Sequence, residues 1–152
     1  MINMIDINFL KDISYDVLGA IDSVHKEMGP GLNEYVYQEA LQMELTEWSI
    51  DVEREVVFHP TYRGHQMEST FRLDFLCDKR IIVECKAVAK LSPENRAQLF
   101  NYMRLTRCPV GILVNFAPRY YEMERYFYDV EDNIIRTSDG EEMLQYTFRN
   151  NR

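Results

Sequence analysis

Asp74, Glu84 and Lys86 are the residues of this chain whose types and spacing point most directly to chemistry. They fall in the stretch RLDFLCDKRIIVECK, residues 72–86, which reads as a β-hairpin. Phe71, Leu73 and Phe75 alternate with Arg72, Asp74 and Leu76. Beyond a polar turn at Cys77-Asp78-Lys79-Arg80, Ile81, Val83 and Cys85 alternate with Ile82, Glu84 and Lys86. A period of two sets Glu84 and Lys86 on one strand face. With the turn centred near Lys79, Asp74 faces Glu84, and directly opposed Cβ atoms lie about 4.5–5.5 Å apart. Carboxylates that close repel unless a proton or a cation sits between them. Two chemistries fit. One is a site for a hard divalent cation with oxygen ligands from Asp74 and Glu84. The other is a surface salt bridge to Lys86 at a strand end.

The elements around the hairpin decide what else can reach it. Val17, Leu18, Ile21, Val24 and Met28 recur at helical steps and predict a helix over 14–28, with Ser14 as its N-cap. Gly29-Pro30-Gly31 ends it. His25 beside that stripe reads as a packing residue. A second helix is expected over 33–48, capped by Asn33, with Tyr37, Leu41, Leu45 and Trp48 as its apolar stripe and Glu34 in its first turn. Residues 51–62 read as a strand, followed by a turn at Arg63-Gly64-His65-Gln66, with His59 and His65 on the surface. Ser92-Pro93-Glu94 starts a helix over 93–106. Gln98 and Tyr102 share one face of it. Val110–Phe116 is an apolar run of strand length that should join the sheet beside the hairpin. Asp132-Asn133 and Asp139-Gly140 mark turns in an aromatic-rich C-terminal tract. Short strands are expected there, packing their aromatics on the sheet or on a second subunit.

A chain of 152 residues, 46% hydrophobic and 28% charged, suits one globular domain over 1–152 rather than a disordered segment. Its core is placed at about 14–117, with a β-rich extension over 118–152. No apolar run approaches the roughly 20 residues of a membrane span. Residues 1–10 lack the features of a signal peptide, so a cytoplasmic protein is expected. Cys77, Cys85 and Cys108 form no CxxC pair and read as buried thiols rather than zinc ligands. The net charge of −8 argues against tight unspecific binding to a polyanion. The balance is uneven. Residues 1–78 hold 5 basic and 15 acidic side chains, a net −10, whereas residues 79–107 hold 7 basic and 2 acidic, a net +5. That basic segment is either a local contact for a polyanion or a solvated face.

The order helix, helix, strand, hairpin, helix, strand now carries recognisable motifs. Gly31-Leu32-Asn33-Glu34-Tyr35-Val36-Tyr37 resembles the signature of the GxxExxY protein family, within the PD-(D/E)XK nuclease superfamily. Asp74 matches the first metal-binding aspartate of that superfamily. Glu84-Cys85-Lys86 matches its (D/E)xK element, and Gln98 to Tyr102 resembles the QxxxY helix of its exonuclease-like branch. The resemblance covers residues 14–117. Leu73 replaces the proline that precedes the aspartate, and no separate DNA-reading domain is expected beside the nuclease core.

The resemblance implies an α/β (α+β) fold of the restriction-endonuclease-like kind, a central mixed sheet flanked by helices. It implies Mg²⁺ or Mn²⁺ on Asp74, Glu84 and Glu34, with Lys86 as the catalytic cation. Gln98 and Tyr102 would support the site or touch substrate. Hydrolysis of phosphodiester bonds in nucleic acid, DNA in the first instance, is the implied activity. The runner-up is a nuclease-fold protein with little or no cleavage, acting as a nucleic-acid or protein binding module. The partner implied is nucleic acid, with no membrane; a homo-oligomer is the alternative left open by the C-terminal aromatics.

Overall fold

The computed structural model describes residues 4–143. Its helices are α1 (Met4–Met28), α2 (Glu34–Glu47) and α3 (Pro93–Thr106). Its strands are β1 (Val52–Phe58), β2 (Thr61–Tyr62), β3 (His65–Gln66), β4 (Phe71–Cys77), β5 (Ile81–Lys86), β6 (Val110–Asn115), β7 (Glu122–Asp129) and β8 (Ile134–Thr137). Six strands form one mixed sheet in the order β1-β4-β5-β6-β7-β8, and β2 and β3 form a separate small ribbon. Among the described residues, only β5 and β6 run parallel in the large sheet. The connection between them is α3, since parallel neighbours need a crossover. The architecture is therefore the mixed sheet flanked by helices that the motif order implied. Among the described residues, no helix is long and apolar enough to cross a membrane.

Two cores sandwich the sheet. Val17, Ile21, Val24, Tyr37, Leu41 and Leu45 of α1 and α2 cover one face, against Phe75, Val83, Cys85, Ile112 and Val114. Leu99, Phe100 and Met103 of α3 cover the other, against Leu73, Ile82 and Leu113. Gly111 lets α3 come close, because a Cβ at that position would run into the Met103 side chain. Of the C-terminal aromatics, Phe127 packs in the first core and Tyr126 and Tyr128 in the second, while Tyr120 stays exposed; residues 144–152 of the expected extension lie outside the described residues. All three cysteines are free and buried.

Some expectations need correction. Helix α1 starts at Met4, ten residues before Ser14. Ser14 is not its N-cap; it is fully buried in the helix interior. Its Oγ donates to the Leu10 carbonyl at 2.7 Å and accepts from Arg125 Nη1 at 3.0 Å. The hydroxyl ties α1 to Arg125 of β7, a role that is invisible in the local pattern. Trp48 is the C-cap of α2 rather than part of its stripe, with its ring over Gly19 of α1. Only Arg63-Gly64 is turn, with positive φ at both residues, while His65–Gln66 pairs with Thr61–Tyr62. The net-positive stretch 79–107 is spread over the β4–β5 turn, β5, a loop and α3. Lys79 lies in the β4–β5 turn, where Asp78 and Lys79 both take positive φ, and Arg80 follows it. Arg96 is bound to Glu124 through both Nε and Nη2, each at 2.7 Å.

The placement of Ser14 is testable. Glycine at an N-cap costs only a few tenths of a kcal/mol. In a helix interior it adds backbone entropy, and here one buried and one partly buried hydrogen bond go as well. Ser14→Gly should lower the urea-unfolding free energy by about 1–2 kcal/mol.

Candidate active site

The site is built where β4 and β5 part. Their ladder pairs Cys77 with Ile81, Leu76 with Ile82 and Phe75 with Val83, and ends there. Beyond it, β4 stays on β1 while β5 stays on β6. Backbone groups freed by such a split must find other partners. Asp74 N–H donates to Glu84 Oε2 at 2.7 Å, and Cys85 N–H donates to Asp74 Oδ2 at 2.8 Å. Each carboxylate thus closes the fork by binding the opposite strand's backbone. Among the described residues, the second oxygens, Oδ1 of Asp74 and Oε1 of Glu84, take no hydrogen bond.

Asp74 also marks a break in the alternation of β4. Leu73 faces the α3 core, yet Phe75 and Cys77 face the α1/α2 core. On β1 the same break falls at Glu55, which has a positive φ of 55° and is skipped by the pairing. Phe71, Leu73 and Phe75 therefore do not share one face, as simple alternation expects. The half-twist turns Asp74 toward the end of β5.

Burial and like charge set the electrostatics. Glu84 is 3% exposed. Burial, and then the Asp74 charge, push its carboxyl up to about 8. Burial raises Asp74 as well, against the Cys85 hydrogen bond and the charges of Lys86 and Arg54. Lys86 continues from Glu84 on the α3 side of the sheet, and its Nζ donates to Gln98 Oε1 at 2.9 Å. Among the described residues, no ion pair ties Lys86 to either acid. The alternative of a solvated salt bridge at a strand end therefore does not describe the site. Tyr102 lies one turn beyond Gln98, its ring stacked on Phe71 at 4.7 Å. Its hydroxyl is raised by burial and then by the Glu84 charge.

Glu34 approaches from the other side at the first residue of α2. Burial raises its carboxyl, the Asp74 charge raises it further, and Lys86 opposes both. The loop before it is tightly held. Tyr37 Oη donates to the Gly29 carbonyl at 2.6 Å and accepts from Leu32 N–H at 3.1 Å. The Tyr37 ring stacks on Phe116 at 4.8 Å. Gly31, at φ +84°, donates its N–H to the Ala117 carbonyl at 3.1 Å. Asn33 caps the helix through Val36 N–H. The spacing Gly31, Glu34, Tyr37 is thus a device that fixes an acid beside the end of β6.

All six residues singled out from the sequence lie around this fork, but they do not close into a cage. Among the described residues, no three histidine, cysteine, aspartate or glutamate side chains are grouped to hold a metal ion. Glu34 Oε2 accepts from Gln38 Nε2 at 3.3 Å instead. A pair of hard oxygen donors with free valences is what Mg²⁺ or Mn²⁺ uses while keeping waters. Sequence reasoning missed three supporting residues. Gln38 is 4% exposed and accepts from Arg54 Nη2 at 3.3 Å, bringing a cation beside Asp74. Buried Asn115 clamps the loop after Lys86, donating to the Val88 carbonyl at 2.9 Å and accepting from Val88 N–H at 3.0 Å. The i, i+4 step from Glu34 to Gln38 was a readable signal. The partners of Arg54 and Asn115 are too distant in sequence for any local pattern. A groove of about 530 Å³ between α1 and α2 includes none of these residues.

Residues 11–126 match the family model of the PD-(D/E)XK nuclease superfamily. The chain belongs to that superfamily. Members of that superfamily are nucleases that generally use divalent metals. No curated protein matches the chain. Among solved structures, "Crystal structure of SSO0001" is similar at 20% identity with a TM-score of 0.49. The match covers 60% of this chain and 48% of that one, so the chain spans about half its length.

Glu84 gives the metal-free protein a pH signature. Between its ordinary value of 4.5 and about 8 the folded state keeps a proton that the unfolded state has released. The unfolded chain binds fewer protons there, so stability falls as pH rises. In chelator, the melting temperature should drop by several degrees from pH 5 to pH 8. Glu84→Gln should flatten that slope in a calorimetric scan.

Proposed function

We propose that this chain is a Mg²⁺- or Mn²⁺-dependent nuclease of the GxxExxY branch that hydrolyses phosphodiester bonds, with DNA as the first substrate to test. The observation that carries the reading is the buried acid pair at the β4–β5 fork, Asp74 and Glu84, with Lys86 beside it. Burying two acids this close is unfavourable unless a cation or a proton compensates. Asp74 and Glu84 would hold the metal through the oxygens left free by the backbone bonds, and Glu34 would take part from its helix end. Gly31, Glu34 and Tyr37 support the GxxExxY assignment, because the outer two fix the loop that carries the acid. When bound, the metal supplies Lewis-acid polarisation of a phosphodiester oxygen and a more acidic water.

The remaining steps belong to the chain. Gln98 accepts from Lys86 and so holds the ammonium at the fork, where it would orient water or stabilise charge developing on the phosphate. Tyr102, stacked on Phe71, would contact the nucleic-acid backbone or buttress Gln98. A cytoplasmic setting suits three reduced cysteines. Cleavage of single-stranded, duplex and branched DNA and of RNA, with each metal, tests the reading. If no substrate is cut while metal binds normally, the chain is a binding module on a nuclease fold.

Two variants separate chemistry from metal binding. Lys86→Ala removes a positive neighbour of the cation, so Mn²⁺ affinity by calorimetry should persist. Its cleavage rate should fall about 10²–10³-fold, as for loss of one transition-state donor. Asp74→Asn should weaken both. Equal loss of metal and activity in the two variants would contradict these roles.

A further inference from the structure

The acid fork occupies the end of the sheet where β5 and β6 finish. Three exposed tyrosines stand at that same end. Tyr35 follows Glu34 at the start of α2. Tyr62 lies on the β2–β3 ribbon, which leaves the sheet just after Phe58, the partner of Phe71. Tyr120 lies in the loop after β6. They are 66%, 63% and 79% exposed. Each has an arginine over its ring: Arg54 over Tyr35 at 5.6 Å, Arg63 over Tyr62 at 5.3 Å and Arg119 over Tyr120 at 5.5 Å. Tyr35 is joined to the fork, because its hydroxyl donates to Glu55 Oε1 at 3.3 Å and Glu55 lies at the β1–β4 break across from Asp74.

The charge of the protein narrows what these pairs can bind. A duplex presents phosphates and hides its base faces, so affinity for it comes chiefly from neutralising phosphates. With a net charge of −8, and its net-positive segment 79–107 spread over a turn, a strand, a loop and a helix, this chain is poorly equipped for that. A single strand presents base faces as well. Aromatic side chains stack on them whatever the sequence, and arginine adds a cation at each step.

We propose that the three tyrosine–arginine pairs form a stacking platform that delivers single-stranded nucleic acid to the acid fork. The delivery rests on the nuclease reading; the binding does not. A matched control exists at the opposite end of the sheet. Phe9 is 53% exposed with Arg80, the last residue before β5, over its ring at 5.8 Å.

The test is fluorescence anisotropy in chelator, with the same labelled sequence as single-stranded DNA, single-stranded RNA and duplex DNA. Single strands should bind more tightly than the duplex. Tyr35→Ala, Tyr62→Ala and Tyr120→Ala should each weaken single-strand binding about 5- to 100-fold. Tyr62→Phe and Tyr120→Phe keep a π-face and should retain it, and Phe9→Ala should match the parent. Equal affinity for duplex and single strands, no binding to either, or Tyr62→Ala and Tyr120→Ala variants that behave like Phe9→Ala would overturn the proposal. Tyrosine-dependent single-strand binding without cleavage in Mg²⁺ or Mn²⁺ would sink the nuclease reading and leave this one standing. Metal-dependent cleavage of duplex, unchanged by the three alanine substitutions, would do the reverse.

Discussion

The structure turns on a fork in which two acidic side chains replace the last rungs of a β-ladder. Strands β4 and β5 separate after Phe75 and Val83, and separated strands leave backbone N–H groups without partners. Asp74 and Glu84 supply those partners crosswise. The bonds hold the fork open at a fixed angle and hold both acids in place. The same bonds bring negative charge into a buried region, and Glu84 responds with a strongly raised carboxyl. Metal-free, the fork therefore balances backbone satisfaction against charge repulsion. Under the proposed reading, a divalent cation would satisfy both requirements together.

Everything near the fork limits how it can relax. Helix α3 is started by a capping box in which Ser92 and Asn95 bind each other's backbone, and it is tied to β7 through Arg96 and Glu124. It therefore presents Gln98 to Lys86 from a rigid support. The Tyr37 hydroxyl and Gly31 secure the loop before Glu34. Asn115 secures the loop after Lys86. Rigid supports of this kind preorganise charges, which is the largest contribution most hydrolytic sites make. Under the proposed reading, metal and phosphate meet a site that has little rearranging to do.

Much of this was legible in the sequence, for physical reasons. Helix α3 was readable to its ends, because Ser92-Pro93 sets a start signal and the apolar positions keep helical spacing. The hairpin turn was readable from its polar residues, and the Asp74–Glu84 juxtaposition followed from counting outward from Lys79. The order of motifs carried the fold. What stayed hidden depends on residues far apart in the chain. The face switch at Asp74 is imposed through Glu55 on the neighbouring strand. Ser14 looked like a helix start because its role is set by Arg125, 111 residues away. Asn115 sits in an apolar strand, and nothing local says that its amide holds a loop 27 residues back.

Under the proposed reading the fork is an electrostatic socket for a divalent cation. Thermal unfolding of chelator-stripped protein, titrated with Mn²⁺ near neutral pH, tests it most directly. A ligand that binds only the folded state adds about 2.7 kcal/mol at a hundred times its dissociation constant. A metal socket at the fork should give a melting temperature that climbs steadily with Mn²⁺ in the parent protein and stays flat in Glu84→Gln. A parent protein whose melting temperature ignores Mn²⁺, or a Glu84→Gln variant that climbs equally, would contradict it.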